Sequence, residues 1–333
     1  MPRSPAASGH AKTAVLLLTL AISLPLIAGF LGRLHPALDA FSHFRAHLGV
    51  LLAGAALLLL ATRQWLHGIV ALALALGALA TAPGMAGGAA AGSRVATDEP
   101  RYSLLHLNLG PDLGAPQRLI SLIGRTRPDV IVLVEASRSW LERLEIVFAV
   151  YPHHLHCPAP QTGSGVLILS RRPFLDDGAC GLGGRLGHAR IDFGGRTVDI
   201  AGMHLLWPWP FPQPVQVEEA LPVLAALGDE ALLTGDFNAV DWSASVRRIF
   251  AGGGFAEMPA LGSTWLPRGA PEALRRWVGL PIDHVLAKRG VVLLGARKLE
   301  GVGSDHLPVL VEFTLRPQPA IGDIAVAGLA GGR

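Results

Sequence analysis

Residues 101–316 predict a layered α/β body, two packed β-sheets flanked by helices, preceded by about three membrane-crossing helices. Three observations lead there. The 333-residue chain is 50% apolar and only 16% charged, with mean hydropathy +0.42, which is too apolar for a disordered chain or an average soluble protein. The excess is concentrated in uncharged runs ahead of residue 90. Beyond residue 101 the pattern changes to short β-branched runs alternating with amphipathic stretches, the signature of sheets covered by helices.

Residues 13–32 (TAVLLLTLAISLPLIAGFLG) carry no charge, and about 20 apolar residues suffice to cross the hydrocarbon core. Two further apolar runs give spans at about 13–32, 47–64 and 67–85, a 1–90 helical anchor, because in lipid a helix satisfies its own backbone. A cleaved signal peptide is the competing reading of the first run, with Arg3 and Lys12 as its basic region. The run exceeds the usual h-region and two more follow it. Three spans with the N-terminus inside put the remainder outside the cytoplasm of a bacterial inner membrane, although Arg3 and Lys12, Arg33 and Arg45, and Arg63 nearly balance across the spans. Residues 91–100 read as a linker and 317–333 as a loose tail.

Within the body, residues 102–109 are a buried strand and 115–125 an amphipathic helix. Strand 129–134 (DVIVLV) and helix 137–145 follow, then strands at 165–170, 188–193 and 197–203. A helix at 215–227 precedes a strand at 231–234 and a helix at 243–250, and strands at 282–287, 291–296 and 307–313 complete the body.

The net charge of +3 and pI near 9.2 suggest nucleic acid until they are resolved by position. Arg3, Lys12, Arg33, Arg45, Arg63 and Arg94 against Asp39, Asp98 and Glu99 account for the whole excess within the first hundred residues. The remainder is formally neutral, without a basic footprint for DNA.

Polar residues sit where the apolar strands stop: Asn108, Glu135, His204, Asp236 with Asn238, Asp283, and Asp305 with His306. Such positions line a shared cleft on a rigid scaffold. Hard oxygen donors without a cysteine or multi-histidine cluster suit Mg2+, or Mn2+, better than zinc. Each also has a plain structural reading: Asp236 and Asp305 as turn or cap residues, Asn108 as an Asx turn, Glu135 in a first helical turn, His204 as a core histidine.

These residues stand in short motifs: Leu107-Asn108, Val134-Glu135, Gly202-Met203-His204, Gly235-Asp236-Phe237-Asn238, Ile282-Asp283-His284 and Gly303-Ser304-Asp305-His306. Taken in order, they resemble the endonuclease/exonuclease/phosphatase superfamily, the DNase I-like fold, over about residues 101–315. The whole chain resembles a bacterial subgroup with transmembrane helices ahead of the catalytic domain. The resemblance implies a four-layer α/β-sandwich and a metal-dependent phosphoesterase. Glu135 is then the first metal ligand, with Asn108 and Asp305 as supplementary or water-bridged ligands. His306 is general base or phosphate donor, oriented by Asp283. Asp236 either aligns the attacking water or holds a second metal, Asn238 donates to a phosphate oxygen, and His204 stabilises phosphate or leaving group.

His284 is expected to point to the opposite face of its strand and is left out of the site. His153, His154 and His156 (YPHHLHCP) read as surface histidines in a loop. Trp207-Pro208-Trp209-Pro210-Phe211-Pro212 directly follows the His204 strand, and its aromatics meet the membrane interface, an apolar substrate group or bases, or simply pack the loop down. Arg171–Arg172 and Arg275–Arg276 are either local phosphate contacts or solvated faces. Cys157 and Cys180 are consistent with one disulfide in an exported domain. The expected function is a membrane-anchored Mg2+-dependent phosphoesterase acting on a phosphodiester or phosphomonoester, such as a lipid headgroup. A nuclease is the alternative enzyme and a non-catalytic membrane scaffold the alternative class.

Overall fold

The computed structural model describes residues 5–82, 90–91, 99–110, 116–161 and 163–317. The end of the expected third span at 83–85, most of the 91–100 linker and the tail beyond 317 lie outside the described residues.

The N-terminal unit comprises α1 (Pro5–Phe30), α2 (Pro36–Asp39), α3 (Arg45–Ala61) and α4 (Trp65–Ala80), with a 3-10 turn at Ala40–Phe44. Leu26, Leu52, Ala56, Leu59, Ala71 and Ala75 form its core. Small residues set the helix spacing: a Cβ at Gly68 would lie 2.7 Å from the Leu60 side chain. Leu17, Leu24, Leu57 and Ile69 point outward without protein cover. Gly9–Phe30 and Pro36–Ala61 are long and apolar enough to cross a membrane, whereas Trp65–Ala80 is a shorter apolar helix. The third expected span thus has 16 helical residues, since Pro83 disfavours helix at the residue before it.

The α/β body contains β1 (Ala90–Ala91), β2 (Tyr102–Asn108), α5 (Pro116–Thr126), β3 (Val130–Val134), α6 (Arg138–Arg143), α7 (Glu145–Phe148), β4 (His153–Ala159), β5 (Ser164–Ser170), β6 (Ala179–Gly181), β7 (Leu186–Asp192), β8 (Thr197–His204), α8 (Gln213–Ala226), β9 (Ala231–Asp236), α9 (Ala244–Gly252), α10 (Arg275–Val278), β10 (Asp283–Ala287), β11 (Val291–Lys298) and β12 (Val309–Leu315). One sheet runs β1-β11-β12-β2-β3-β5-β4 and the other β10-β9-β8-β7-β6. On β3, Val130, Val132 and Val134 face the second sheet, while Ile131 and Leu133 face α5, α6 and α7. That two-sided burial is why the strand reads as an unbroken apolar run. Leu233 on β9 packs outward with Val217 and Leu224 of α8 and Val246 and Ile249 of α9, forming the fourth layer.

Three strands leave no mark in the hydrophobic pattern: β1, which pairs with β11 where the anchor was expected to pass into a linker, β4 and β6. YPHHLHCP is not a loop: His153–Ala159 pairs antiparallel with β5, with Cys157 opposite Val166. Its pattern is masked because an edge strand tolerates prolines and polar side chains. The histidines remain apart in role, His153 stacking on Phe174, His154 near the Pro152 carbonyl and His156 on the Ala136 carbonyl. Short β6 brings Cys180 to Cys157, and the two form a disulfide. Arg172 pairs with Asp129 and covers Tyr102, and Arg275 is buried, donating to the carbonyls of Thr264 and Asp305. Their neighbours Arg171 and Arg276 are exposed, so each pair has one covered and one solvated arginine.

The helical unit packs directly on the body. Asp39 accepts from the backbone N–H groups of Ala244 and Ser245 at the start of α9, and Trp242 Nε1 donates to the Ser42 carbonyl at 2.7 Å. Ala46 and Ala82 share an apolar cluster with Val240, Trp242, Leu280 and Ile282, and Leu79 and Trp265 pack against it.

Away from this joint, Asp199 ties β7 to β8. Its carboxylate accepts from His188 Nε2 at 2.8 Å and from the Gly228 N–H at 2.6 Å. Burial alone would raise the Asp199 pKa, but these two donors hold it below the usual carboxylate value. A depressed folded-state pKa contributes stability above the unfolded pKa of about 3.9, and that stability is lost as pH falls through the lower folded value. Asp199→Asn should therefore cost about 1–3 kcal/mol at pH 7. In thermal melts of the detergent-solubilised chain this is a fall of roughly 2–10 °C, shrinking below pH 4. A penalty independent of pH would contradict the assignment.

Candidate active site

Strand register assembles the site. In the five-stranded sheet His204 lies opposite Asp236 across the parallel β8–β9 pair, and Asp283 lies opposite Asp236 across β9–β10. In the seven-stranded sheet Asn108 pairs with Val134, so Glu135 follows immediately beside it, and His106 lies opposite Val309, three residues beyond His306. Six strand ends therefore converge on one rim of the sandwich.

Asn108 is the bridge between the sheets. Its Nδ2 donates to Glu135 Oε1 at 3.1 Å and to Asp236 Oδ2 at 2.9 Å, while its Oδ1 accepts from the Gly110 N–H. Glu135 has φ +58°, a left-handed conformation costly for a side-chain-bearing residue, of the kind that clusters at functional sites. The surrounding ladder holds it there, as Ala136 and Gly165 exchange both backbone hydrogen bonds. Asn238, at φ +47°, tolerates the same region more readily and donates from Nδ2 to the Leu205 carbonyl.

Asp283 is buried between two imidazoles. One oxygen lies 3.1 Å from His106 Nε2 and the other 2.8 Å from His306 Nδ1. Burial opposes its ionisation, but His306 and His106 outweigh that and hold the carboxyl well below the ordinary range. His306 Nε2 then points to Asp236 Oδ2 at 3.6 Å. Burial would lower the His306 pKa, yet Asp283 and Asp236 push it up to about 9. Desolvation pushes the Asp236 carboxyl up to about 7, although His306 and hydrogen bonds from Asn238 and Asn108 pull against it.

His204 Nε2 lies 3.7 Å from Glu135 and 3.8 Å from Asp236. Burial brings its pKa down to about 3, with Arg185 and His306 adding repulsion. Arg185 Nη1 stands 3.4 Å from His204 Nδ1. On the other side of the ring the Asn238 Nδ2 amide stands 3.4 Å from His204 Nε2, so each ring nitrogen faces a donor while Nε2 also faces the two carboxylates.

Asn108, Glu135, His204, Asp236, Asn238, Asp283 and His306 are thus joined by one chain of polar contacts. Asp305 stands on the adjoining loop, its Oδ2 3.3 Å from Trp265 Nε1 and 3.5 Å from Arg268 Nε. Next to it, Ser304 Oγ donates to the Asn108 carbonyl at 2.7 Å. His284 turns away, as expected, to the Ala239 carbonyl. His106 and Arg185 were missed by sequence reasoning. For His106 a signal existed, because it shares a strand face with Asn108 in an otherwise apolar run (YSLLHLN). Arg185 sits in a glycine-rich turn with no such mark.

The donors suit a hard divalent cation. Glu135 and Asp236 direct carboxylate oxygens at the same amide, and burial keeps the Asp236 carboxyl up at about 7 even with His306 beside it. Ligand atoms of Asp236, Asp283 and His306 also lie within 4.8 Å of one another. Asp283 has both oxygens engaged by histidines, so the Glu135 side is the freer of the two.

The sequence profile of the Endonuclease/Exonuclease/phosphatase family matches residues 105–306. No curated protein sequence matches the chain. Among solved structures the chain is similar to an endonuclease/exonuclease/phosphatase from Bacteroides vulgatus (TM-score 0.52, 15% identity, covering 66% of this chain and 100% of that one). It is likewise similar to an AP endonuclease from Archaeoglobus fulgidus (0.51, 15%, covering 63% and 98%). Staphylococcus aureus beta toxin, solved with bound magnesium ions, matches at 0.50 and 15%, covering 65% and 100%. At these identities the likeness is one of fold: two packed mixed sheets flanked by helices, the DNase I-like arrangement. With a profile matched over more than half its length and the acid, amide and histidine set in place, the chain belongs to the endonuclease/exonuclease/phosphatase family and is a metal-dependent hydrolase of phosphate ester bonds.

Proposed function

We propose that the protein is a membrane-anchored, Mg2+-dependent phosphoesterase acting on phosphoesters presented at the bilayer face. The observation that carries the reading is the joint between the apolar helices and the site. Ala46, Leu79 and Ala82 pack beside Leu280, Ile282 and Trp265, and Trp265 also touches Asp305. Trp207 meets Trp265 edge-on at 5.7 Å, while Trp209 and Phe211 are about half exposed (51% and 53%) and Trp277 is 61% exposed. An aromatic rim beside apolar helices suits the headgroup layer. The disulfide suits an oxidising compartment, which agrees with an extracytoplasmic body on a three-span anchor.

In this mechanism Glu135 would hold the cation as principal ligand, with Asn108 and Asp305 as supplementary or water-bridged ligands. The bound Mg2+, or Mn2+, supplies neutralisation of phosphate oxygens and polarisation of the ester. Asp283 fixes His306 with its proton-bearing Nε2 toward the cleft, so His306 serves as the cationic donor to phosphate. Asp236, 3.6 Å away, orients the attacking water and takes its proton. Asn238 and His204 stabilise the charge that develops on phosphate and leaving oxygen.

The full-length chain in liposomes, with Mg2+, should hydrolyse sphingomyelin, phosphoinositide or another bilayer-borne phosphoester faster than DNA or RNA. Removing both exposed aromatics, Trp209→Ala with Phe211→Ala, should lower the ratio of vesicle to soluble-diester turnover by about tenfold or more, the value of one buried aromatic. Faster turnover of DNA with steep salt dependence would replace this reading with the nuclease. No turnover of any phosphoester would sink it.

A further inference from the structure

The joint between helices and body encloses a basic cavity that the catalytic machinery does not use. About 140 Å³ in volume, it is lined by Phe30 at the end of α1, Arg33, Arg45 at the start of α3, Thr81 after α4, Trp242 and Arg247. A larger cavity of about 540 Å³ adjoins it, sharing Arg33 and Arg247 and adding Arg248. Three helix ends meet here, all on the side of the α/β body, and Arg33 lies three residues, about 5 Å of helical rise, beyond the last residue of α1.

Arg45 is 95% buried, since its residual exposure is 5%, and is held in place by a bond from Nη2 to the Gly29 carbonyl and by stacking at 4.2 Å over Phe30. Its buried Nε has no partner. Among the described residues neither Arg33 nor Arg247 has an ion pair. Asp39 is the carboxylate that lines both cavities, and its oxygens are already taken by Ala244 N, Ser245 N and Ser245 Oγ. Asp241 stands within electrostatic reach of Arg45 and Arg247 but does not line either cavity. Glu218 lines the larger cavity and is taken up by Arg248; the remaining three guanidinium groups, Arg33, Arg45 and Arg247, against Asp39 and Asp241 leave a positive excess around an unfilled donor.

We propose that this cavity binds the phosphate of an anionic phospholipid from the leaflet on the side of the α/β body, at a site distinct from the catalytic cleft. Guanidinium forks match phosphate geometry, and basic pockets at the ends of membrane helices recognise anionic headgroups. The acyl chains lie along the uncovered apolar faces of α1, and the headgroup braces the Asp39–α9 joint. The inference rests on the reading of α1 and α3 as membrane helices.

The test uses the full-length chain in non-ionic detergent, probed by native mass spectrometry with dioleoylphosphatidylglycerol and dioleoylphosphatidylcholine. Phosphatidylglycerol should be retained at least about tenfold in preference, given about fivefold per arginine. The exposed pair Arg33→Gln with Arg247→Gln should remove most of that preference, with Arg33→Gln alone as a milder variant and circular dichroism as the check of folding. Equal retention of the two lipids by the parent, or an undiminished preference in both variants, overturns the proposal. So does equal thermal stabilisation by inorganic phosphate, which would make it a free-anion site. Flotation with phosphatidylcholine vesicles separates the two readings: a chain that floats but shows no preference loses only this site, and one that does not float loses the membrane reading with it.

Discussion

Asp283→Asn is expected to lower kcat/KM by about 10³–10⁴-fold at neutral pH, the size of effect that follows when the carboxylate behind a catalytic histidine is neutralised. The residue never faces substrate. Its effect runs through His306, whose Nδ1 it holds at 2.8 Å, and through His106, which it engages at 3.1 Å from the other oxygen. With the anion gone, burial of His306 has lost its main opposing force. The imidazole pKa, about 9 in the metal-free protein, should fall below the ordinary value of 6.5. The sign follows: His306 becomes neutral across the working range, so the alkaline limit of activity should move from about 9 to below neutrality, with the acid limit still set by Asp236. Steady-state kinetics against pH on a soluble diester, with the metal saturating, read the rate. Nitrogen NMR of the metal-free protein reads the imidazole. His106→Ala should give a smaller loss, because Asp283 keeps its bond to His306. A variant within tenfold of the parent, with His306 still titrating near 9, would show that the pair does not act as assigned.

Much of this architecture was legible because strand burial and strand ends both leave marks in the chain. The unbroken DVIVLV run predicted a strand covered on both faces, and β3 is buried on both. The polar residue closing each run predicted a shared rim, and register brings His204, Asp236 and Asp283 side by side. What stayed hidden lacks a local signature. Strand β4 is an edge element whose pairing depends on β5, and its prolines and histidines imitate a loop. His106 has its partner, Asp283, 177 positions away. Arg185 acts across 19 residues from a turn. Asp39 caps α9 more than 200 residues further along the chain. Pairings of that range are set by tertiary packing, which periodicity does not encode.

Glu135→Gln tests the metal side of the site, and its effect on stability should change sign with the cation. Without metal, Glu135 and Asp236 present two carboxylate oxygens to the single Nδ2 of Asn108, so removing one charge relieves repulsion and the variant should melt at or above the parent. With Mg2+ at about a hundred times its dissociation constant, binding stabilises the parent by about 2.7 kcal/mol, or roughly 5–10 °C for a body of this size. The variant, lacking the principal charged ligand, should gain little, so the order of the two melting curves reverses. Turnover should fall by about 10²–10⁴-fold, the several kcal/mol a metal supplies to transition-state charge. The left-handed backbone at Glu135 is unaffected by the change, since Gln occupies the same volume and the Ala136–Gly165 ladder remains. Differential scanning fluorimetry across a Mg2+ and Mn2+ titration, beside the same titration of activity, checks both halves. Equal stabilisation of parent and variant would move the ion to the Asp236, Asp283 and His306 group, whose ligand atoms lie within 4.8 Å of one another, and Asp283 would then be a ligand rather than the residue that orients His306.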